Sequence, residues 1–185
     1  TKFYIENDLL KANEVFDFES KSVYTVKVQV EDKEGETLQR NFAIVVKDTN
    51  DVPSDITLSN QIIAENLPSG TEIGLLATVD NDGEELFSYS LTDGANSDGN
   101  ASFLISGNKL LTADVFDFEN KANYNIRIRT TDGGGSSFEK NFTVTISDAN
   151  DTPLSISLFK NSIEENTAIG VSIGEFTTED VDAND

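Results

Sequence analysis

The stretch Glu14-Val15-Phe16-Asp17-Phe18-Glu19 returns 100 residues later as Asp114-Val115-Phe116-Asp117-Phe118-Glu119. The same distance separates Asp48-Thr49-Asn50-Asp51-Val52-Pro53 from Asp148-Ala149-Asn150-Asp151-Thr152-Pro153. Self-similarity at a fixed period is the signature of tandem repeats. We therefore expect three units: the C-terminal half of a repeat at residues 1–53, a complete repeat at 54–153 and the N-terminal part of a third at 154–185.

The complete repeat carries the pattern of β-strands and turns throughout. Short apolar runs between clusters of Gly, Asn and Asp predict strands at residues 56–65, 73–79, 86–91, 102–105 and 109–112. Two later stretches, 124–130 and 142–147, alternate apolar and polar residues, which indicates strands with one face in a core. About seven strands in about 100 residues predict an all-β fold, an immunoglobulin-like Greek-key β-sandwich. Tyr124 fits either the tyrosine corner of such sandwiches or an ordinary core aromatic.

The charge balance excludes several classes of partner. The 185-residue chain has 34 acidic and 13 basic residues, for a formal net charge of −21. Nucleic acids and anionic membrane surfaces both need clustered Lys and Arg, so we expect neither as a partner. No apolar stretch is long enough to span a membrane, and we expect no direct membrane insertion of this segment.

The missing residue types narrow the chemistry further. The sequence has no Cys, His, Met or Trp, which removes the usual ligands of zinc, iron–sulfur and haem sites and the nucleophile pairs that depend on His. Carboxylate-pair catalysis, as in glycoside hydrolysis, is the one enzymatic class left open, but acids that recur with the repeat do not form one cleft. We predict that the chain is not an enzyme. Oxygen ligands remain, and they suit hard cations, chiefly Ca²⁺.

The acidic residues of the repeat fall at its two ends. In the predicted topology, the loops with Asp80-Asn81-Asp82 and with Asp132 share one end of the sandwich. The connection with Asp117-Phe118-Glu119 lies at the opposite end, next to the link between repeats and to Glu65. Alternation would place the two carboxylates of Asp17-x-Glu19, like those of Asp80-x-Asp82, on one side and Phe16 and Phe18 in the core.

Head-to-tail stacking of such repeats collects the acids into two groups. The first junction gathers Asp17, Glu19, Asp48, Asn50, Asp51, Asp80, Asp82 and Asp132. The second gathers Glu65, Asp117, Glu119, Asp148, Asn150, Asp151, Asp180 and Asp182. Asp and Asn also favour turns, and for any one motif that alternative stands. The convergence of four motifs on one point favours metal binding, because crowded carboxylates repel without a counterion and Ca²⁺ accepts six to eight oxygens.

The motifs together resemble the cadherin repeat over essentially the whole chain. The resemblance lies in Ala64-Glu65-Asn66-Leu67-Pro68-Ser69-Gly70-Thr71, Asp80-x-Asp82, Asp117-x-Glu119 and Asp148-Ala149-Asn150-Asp151-Thr152-Pro153. It implies seven-strand sandwiches joined into a rod, with several calcium ions at each junction held by the residues named above. It also implies that a Glu before Thr1 and an Asp after Asp185 complete the two junctions. Val52 and Thr152 depart from the family, which usually has Asn there.

The expected function is therefore structural and adhesive. We predict a calcium-rigidified extracellular segment of a large cell-surface or secreted adhesion protein, acting as spacer and adhesive rod. The 100-residue period, the Asp-Phe-Glu variant and the Cys-free composition resemble the cadherin-like repeats of large bacterial surface or secreted adhesins. The alternative is a calcium-dependent module that binds surface glycans or another copy of the array.

Overall fold

The chain is almost entirely β-structure. The computed structural model describes residues 1–83 and 86–182, so residues 84, 85 and 183–185 of the predicted repeats lie outside it. In this part of the chain the only helix is a 3₁₀ turn at Asn100–Ser102, and no helix is long and apolar enough to cross a membrane. The strands are β1 (Phe3–Glu6), β2 (Leu9–Ala12), β3 (Val23–Glu31), β4 (Thr37–Val45), β5 (Asp55–Leu58), β6 (Ile62–Ala64), β7 (Glu72–Val79), β8 (Ser88–Leu91), β9 (Phe103–Ser106), β10 (Lys109–Thr112), β11 (Asn123–Thr131), β12 (Ser137–Ser147), β13 (Ser155–Phe159) and β14 (Glu175–Glu179).

Strands β5 to β12 form two four-stranded sheets. One sheet has the order β5-β7-β10-β9 and the other the order β6-β12-β11-β8. All neighbours pair antiparallel except β6, which runs parallel to β12. This arrangement is the predicted immunoglobulin-like Greek-key sandwich, and the all-β fold class is confirmed.

The core lies between the inner faces of the two sheets. The fully buried side chains alternate along their strands, as the period-2 pattern predicts. The aliphatic ones with no more than 1% exposure are Ile56, Leu76, Leu110, Ile126, Ile128, Val144 and Ile146. Each such side chain contributes about 1.5–3 kcal/mol through burial, so this layer is a major source of the sandwich's stability.

The first predicted strand differs from the structure. Residues 56–65 were expected as one strand, but they form two, and each belongs to a different sheet. The break lies at Asn60, whose side-chain Nδ2 donates to the carbonyl oxygens of Ile62 and Ile73 at 2.8 and 2.9 Å. An amide that satisfies the backbone in this way allows the chain to leave one sheet and join the other. The predicted strand at 86–91 is also shorter, because only Ser88–Leu91 pair with a neighbour.

The flanking segments repeat the pairing of the complete sandwich. The pair β3–β4 runs from Val23↔Val45 to Glu31↔Thr37, and β11–β12 has the same register 100 residues later. The pairs β1–β2 and β13–β14 likewise match β9–β10 and β5–β7. The division of the chain into repeats at 1–53, 54–153 and 154–185 stays a prediction.

Tyr124 packs as a core aromatic. Its ring lies 5.8 Å from that of Phe103 and 4.8 Å from that of Phe116, with the Lys121 ammonium 4.4 Å from its centroid. Its hydroxyl forms no hydrogen bond within the described residues, so the structure favours the plainer of the two alternatives. Phe3, Phe16 and Tyr24 form the same cluster at the N-terminal side. In both places the cluster lies beneath the acidic Asp-Phe-Glu segment.

A paired carboxylate stabilises the outer face of the second sheet. Glu139 accepts hydrogen bonds at 2.8 Å from Arg129 Nε and from Arg127 Nε, across the β11–β12 ladder. These two guanidinium groups, Arg129 foremost, hold the pKa of Glu139 below its usual range.

The lowered pKa gives a pH-dependent contribution to stability. Ionised Glu139 stabilises the fold above the pKa of an unfolded Glu, about 4.3, and this contribution is lost as the pH falls through the lower folded-state value. We expect Glu139→Gln to melt below wild type at pH 7, and the two melting temperatures to converge as the pH falls through the lowered folded-state pKa of Glu139. Thermal melts in chelator across this pH range test the prediction. Glu34→Gln, the same substitution in the β3–β4 turn, is the control. A melting-temperature difference that is constant with pH would contradict the prediction.

Candidate metal centres at the two junctions

The first junction brings carboxylates from three separate segments together. Ligand oxygens of Glu19, Asp48 and Asp82 all lie within 4.8 Å of one another. Glu19 follows β2, Asp48 follows β4 and Asp82 follows β7. The backbone N–H of Asp51 donates to Asp82 Oδ2 at 2.7 Å, which ties the link after β4 to the loop after β7. The head-to-tail stacking inferred from the sequence thus has a direct contact in the structure.

Asn50 docks against the loop between β11 and β12. Its Nδ2 donates to Asp132 Oδ2 at 3.0 Å and to Ser136 Oγ at 3.3 Å. Asp132 is buried, and its Oδ1 accepts the Ser136 N–H at 2.7 Å. Burial raises the pKa of Asp132, but the hydrogen bonds from Asn50 and from the backbone of Ser136 outweigh it, so the net pKa is lowered. Asp132 is therefore an anion that closes its own loop and holds the preceding link.

The remaining acids of this junction face the same region. Asp17 caps the turn after it, with Oδ1 accepting the Ser20 N–H at 3.0 Å. Asp80 Oδ1 accepts the Asp82 N–H at 3.0 Å, whereas Asp80 Oδ2 is buried and has no hydrogen-bond partner in the described chain. A buried anionic oxygen without a donor is costly, and a bound cation is one partner that would satisfy it.

The second junction repeats this construction. Ligand oxygens of Glu65, Glu119 and Asp148 lie within 4.8 Å of one another. The Asp151 N–H donates to Asp182 Oδ2 at 2.7 Å, the same distance as in the first junction. Asp182 Oδ1 is buried without a partner among the described residues. Asp180 Oδ1 accepts the Asp182 N–H at 3.1 Å, so the loop after β14 has the same internal bond as the loop after β7.

Glu65 connects three segments of the second junction. It is only 2% exposed, and its Oε2 accepts the Phe118 N–H at 2.6 Å while its Oε1 accepts the Ala149 N–H at 2.9 Å. The end of β6, the Asp-Phe-Glu segment and the link after β12 are therefore held by one carboxylate. Two backbone donors satisfy its buried charge without a cation.

The Asp-Phe-Glu segment is a turn rather than an extended strand. Asp117 Oδ1 accepts the Asn120 N–H at 2.8 Å, and its carbonyl oxygen accepts the Lys121 N–H at 3.1 Å. Phe116 is buried and Phe118 packs partly against the core, as the sequence predicts. Asp117 and Glu119 line a cleft together with Asp151. Side-chain capping, and not strand alternation, thus orients the Asp117 carboxylate.

Asn150 differs from its counterpart in the first junction. Its Nδ2 donates to the Asp151 carbonyl oxygen at 2.5 Å, as that of Asn50 does to Asp51. Within the described residues it makes no contact equivalent to the one between Asn50 and Asp132. The structure therefore brings the predicted residues of each junction together. The side chains of Asn50 and Asn150, however, make different contacts.

The junction acids are not neutralised by the protein's own cations. Seven ion pairs occur in the described chain, and none includes a carboxylate of either junction. Its own backbone N–H lowers the pKa of Glu119, but partial desolvation and the charges of Glu65, Asp148 and Asp151 outweigh this, and the net pKa is raised. A hydrogen bond from its own backbone also lowers the pKa of Glu19. Partial desolvation and the neighbouring Asp17, Asp48 and Asp51 outweigh this bond, and the net pKa is raised. Crowded anions that resist ionisation favour a bound cation.

The donor chemistry fits calcium. Each junction offers carboxylate, amide and carbonyl oxygens from at least three segments, and hard cations of flexible coordination take such sets. Three further residues with a part in the site were not among the predicted ligands: Asn66, Gly134 and Ser136. Asn66 had a visible signal, because it follows Glu65 in the repeat signature and returns as Asn166. The contacts of Gly134 and Ser136 arise only from the folded loop.

The comparisons with known proteins agree on one family. A family model described as "Cadherin domain" matches residues 60–147. The chain is 31% identical over 183 residues to Protocadherin gamma-A10 of Pan troglodytes, covering 95% of this chain and 20% of that protein. It is 27% identical over 192 residues to Neural-cadherin of Drosophila melanogaster, covering 94% of this chain and 6% of that protein. The chain thus spans about a fifth or less of these relatives.

Solved structures support the same relationship. The crystal structure of the Protocadherin GammaB4 extracellular domain superposes with a TM-score of 0.64 at 31% identity, over 99% of this chain and 30% of that one. Protocadherin Gamma B2 extracellular cadherin domains 3-6 superpose with a TM-score of 0.65 at 26% identity, over 98% and 45%. The matched relatives named here are animal cadherins, so the expected likeness to bacterial adhesins gains no support from them.

The close approach of Asn50 to Gly134 gives a test of the first junction. A Cβ at Gly134 would lie 1.6 Å from Asn50 Oδ1, so Gly134→Ala must displace the Asn50 side chain and break its bonds to Asp132 and Ser136. We expect the free energy of unfolding to fall by about 1–2 kcal/mol, the scale of a hydrogen bond to a charged group. We also expect the nuclear Overhauser effects between the Asn50 amide and residues 132–136 to disappear.

Gly83→Ala is the matched control for this substitution. It lies in the same junction, and a Cβ there meets no atom within 4 Å. We expect it to retain both the stability and the Asn50 contacts. If the two alanine variants behave alike, Asn50 does not dock against this loop.

Proposed function

We propose that this chain, whose residues 60–147 match the cadherin domain family, is a calcium-rigidified segment of a large cell-surface or secreted adhesion protein. The segment is extracellular, in keeping with the protocadherin extracellular domain to which it is similar. It is not an enzyme, because cadherins are adhesion proteins. Its proposed role is that of a spacer and adhesive rod whose stiffness depends on Ca²⁺.

The proposal depends above all on the orphaned oxygens. Asp80 Oδ2 and Asp182 Oδ1 are buried without a hydrogen-bond donor in the described chain, one in the loop after β7 and the other in the loop after β14. Their loops also contain Asp82 and Asp180. Within the described residues, no Lys or Arg forms an ion pair with a carboxylate of either junction. A turn-only role for these aspartates does not explain a buried anionic oxygen, whereas a calcium ion does.

Calcium at such a place would stiffen the chain by connecting its segments. We propose that the first junction holds Ca²⁺ through Asp17, Glu19, Asp48, Asn50, Asp51, Asp80, Asp82 and Asp132. The second would use Glu65, Asp117, Glu119, Asp148, Asn150, Asp151, Asp180 and Asp182. In each set, some residues precede the link between sandwiches, some lie in the link and some follow it. A cation bound to all three opposes bending at that link and removes the repulsion among the carboxylates.

The partners beyond calcium belong to the same proposal. A second copy of the array is one candidate, since Protocadherin gammaB7 EC3-6, to which the chain is 28% identical, has a cis-dimer structure. Surface glycans stay a predicted alternative. A parent protein among the large bacterial surface or secreted adhesins also stays a proposal, based on the 100-residue period and the absence of Cys.

Thermal melts with and without calcium test the proposed function. A ligand that binds only the folded state stabilises it by about 1.4 kcal/mol per site at ten times its Kd, so millimolar Ca²⁺ should raise the melting temperature above that in EDTA. We expect Asp82→Asn to reduce this calcium-induced rise while leaving the melting temperature in EDTA equal or higher, because it removes one charge and keeps an acceptor for the Asp51 N–H.

Asp93→Asn, the same substitution in the loop after β8, is the control and should retain the full calcium effect. Identical melting temperatures of the wild-type chain in EDTA and in millimolar Ca²⁺ would refute the proposal. A calcium effect that Asp82→Asn leaves unchanged would refute the assignment of this residue.

A further inference from the structure

Asn66 lies at the edge of the second junction in an unusual conformation. It directly follows the buried Glu65 and has a φ of +61°, in the left-handed region. Its backbone N–H donates to the Phe116 carbonyl oxygen at 3.1 Å. Its side-chain Nδ2 donates to Asp151 Oδ1 at 2.7 Å, across 85 positions of sequence. One residue therefore contacts both the Asp-Phe-Glu segment and the link to the next sandwich.

The residue type at this position follows from these two contacts. Asn is one of the few residues other than Gly that adopt the left-handed region at low cost. Asn166, at the equivalent place 100 residues later, has a φ of +64°. Gly would satisfy the backbone equally well but has no donor for the carboxylate. The position thus combines a backbone requirement, which Gly or Asn meets, with a side-chain donor, which only Asn supplies.

We propose that Asn66 is a positioning residue for Asp151, which rests on the calcium function proposed above. Asp151 has its N–H bound to Asp182 and its Oδ1 bound to Asn66, while its Oδ2 accepts no hydrogen bond within the described residues. The carboxylate is therefore held in one orientation with one oxygen left for a cation. A neutral amide does this without adding charge, so it neither repels the acids nor competes with the ion as a Lys would.

Glu65 and Asn66 together prepare the second junction before metal binds. Glu65 holds Phe118 and Ala149 through their N–H groups, and Asn66 holds Asp151. Ordering these segments in advance lowers the entropy that calcium binding has to overcome. Loss of the Asn66 amide should therefore weaken calcium at the second junction and not at the first.

The test is a calcium titration of the full chain that reads each junction separately. The backbone N–H groups of Asp51 and Asp151 each donate to an aspartate of their own junction, so their NMR resonances report the first and the second junction respectively. Asn66→Gly keeps the left-handed backbone and removes the amide. We expect the apparent Kd read at Asp151 to rise about tenfold, the effect of losing one hydrogen bond to a charged group, while that read at Asp51 is unchanged.

Asn166→Gly is the matched control, because it makes the same change at a left-handed Asn whose side chain forms no hydrogen bond within the described residues. It should leave both calcium affinities as in wild type. The proposal is overturned if Asn66→Gly binds Ca²⁺ normally at Asp151, or if it weakens both junctions equally. It is also overturned if the variant melts well below Asn166→Gly in EDTA, since the loss would then be one of folding.

The outcome separates this inference from the function on which it rests. If neither the Asp51 nor the Asp151 resonance of the wild-type chain responds to Ca²⁺, the proposed calcium function fails first. If both respond and Asn66→Gly leaves the second unchanged, only the role of Asn66 fails.

Discussion

Electrostatic repulsion among carboxylates at each junction is the constraint on which the rest of the structure depends. The described chain directs its Lys and Arg side chains elsewhere, to Glu139 and Asp55 among others, and leaves the junction acids without an ion pair. Charges a few ångströms apart and partly shielded from water interact with several kcal/mol each. Only a ligand of opposite charge can turn this repulsion into attraction, and the junction is then rigid because the ion binds every segment at once.

The sandwich places these acids at its two ends, outside its own hydrophobic core. Ile126, Val144 and the other core residues lie between the sheets, away from the two ends. The loops at one end hold Asp82 and Asp132, and the turn at the other holds Asp117. The aromatic cluster beneath that turn links core and junction, since Phe116 is buried and its neighbour Asp117 caps the turn. Folding of the sandwich therefore positions half of a candidate metal site at either end.

Much of this arrangement could be predicted from the sequence, for identifiable reasons. Alternation along β11 and β12 predicted the core, because burial of one sheet face imposes a period of two. The 100-residue recurrence predicted which acids meet, because equal repeats stack in equal ways. The division of residues 56–65 into two strands was not predicted, since it depends on the bonds that the side chain of Asn60 makes to the folded backbone. The turn conformation at Asp117 was missed because alternation and capping produce the same pattern over three residues.

The contacts of Asn66 and Gly134 could not be predicted from the sequence. Each depends on an approach between segments more than 80 positions apart, and neither a periodicity nor a charge pattern encodes such a distance. Asn at a left-handed position and Gly in a loop are common for purely local reasons. Their roles appear only when the link between sandwiches is seen against its neighbours.

The most direct test of calcium as the source of rigidity is small-angle X-ray scattering of the full chain. We expect a longer maximum dimension and a narrower distance distribution in millimolar Ca²⁺ than in EDTA, because the cation opposes bending at both junctions. Scattering curves that superpose in the two conditions, with the sandwich folded in both, would contradict it.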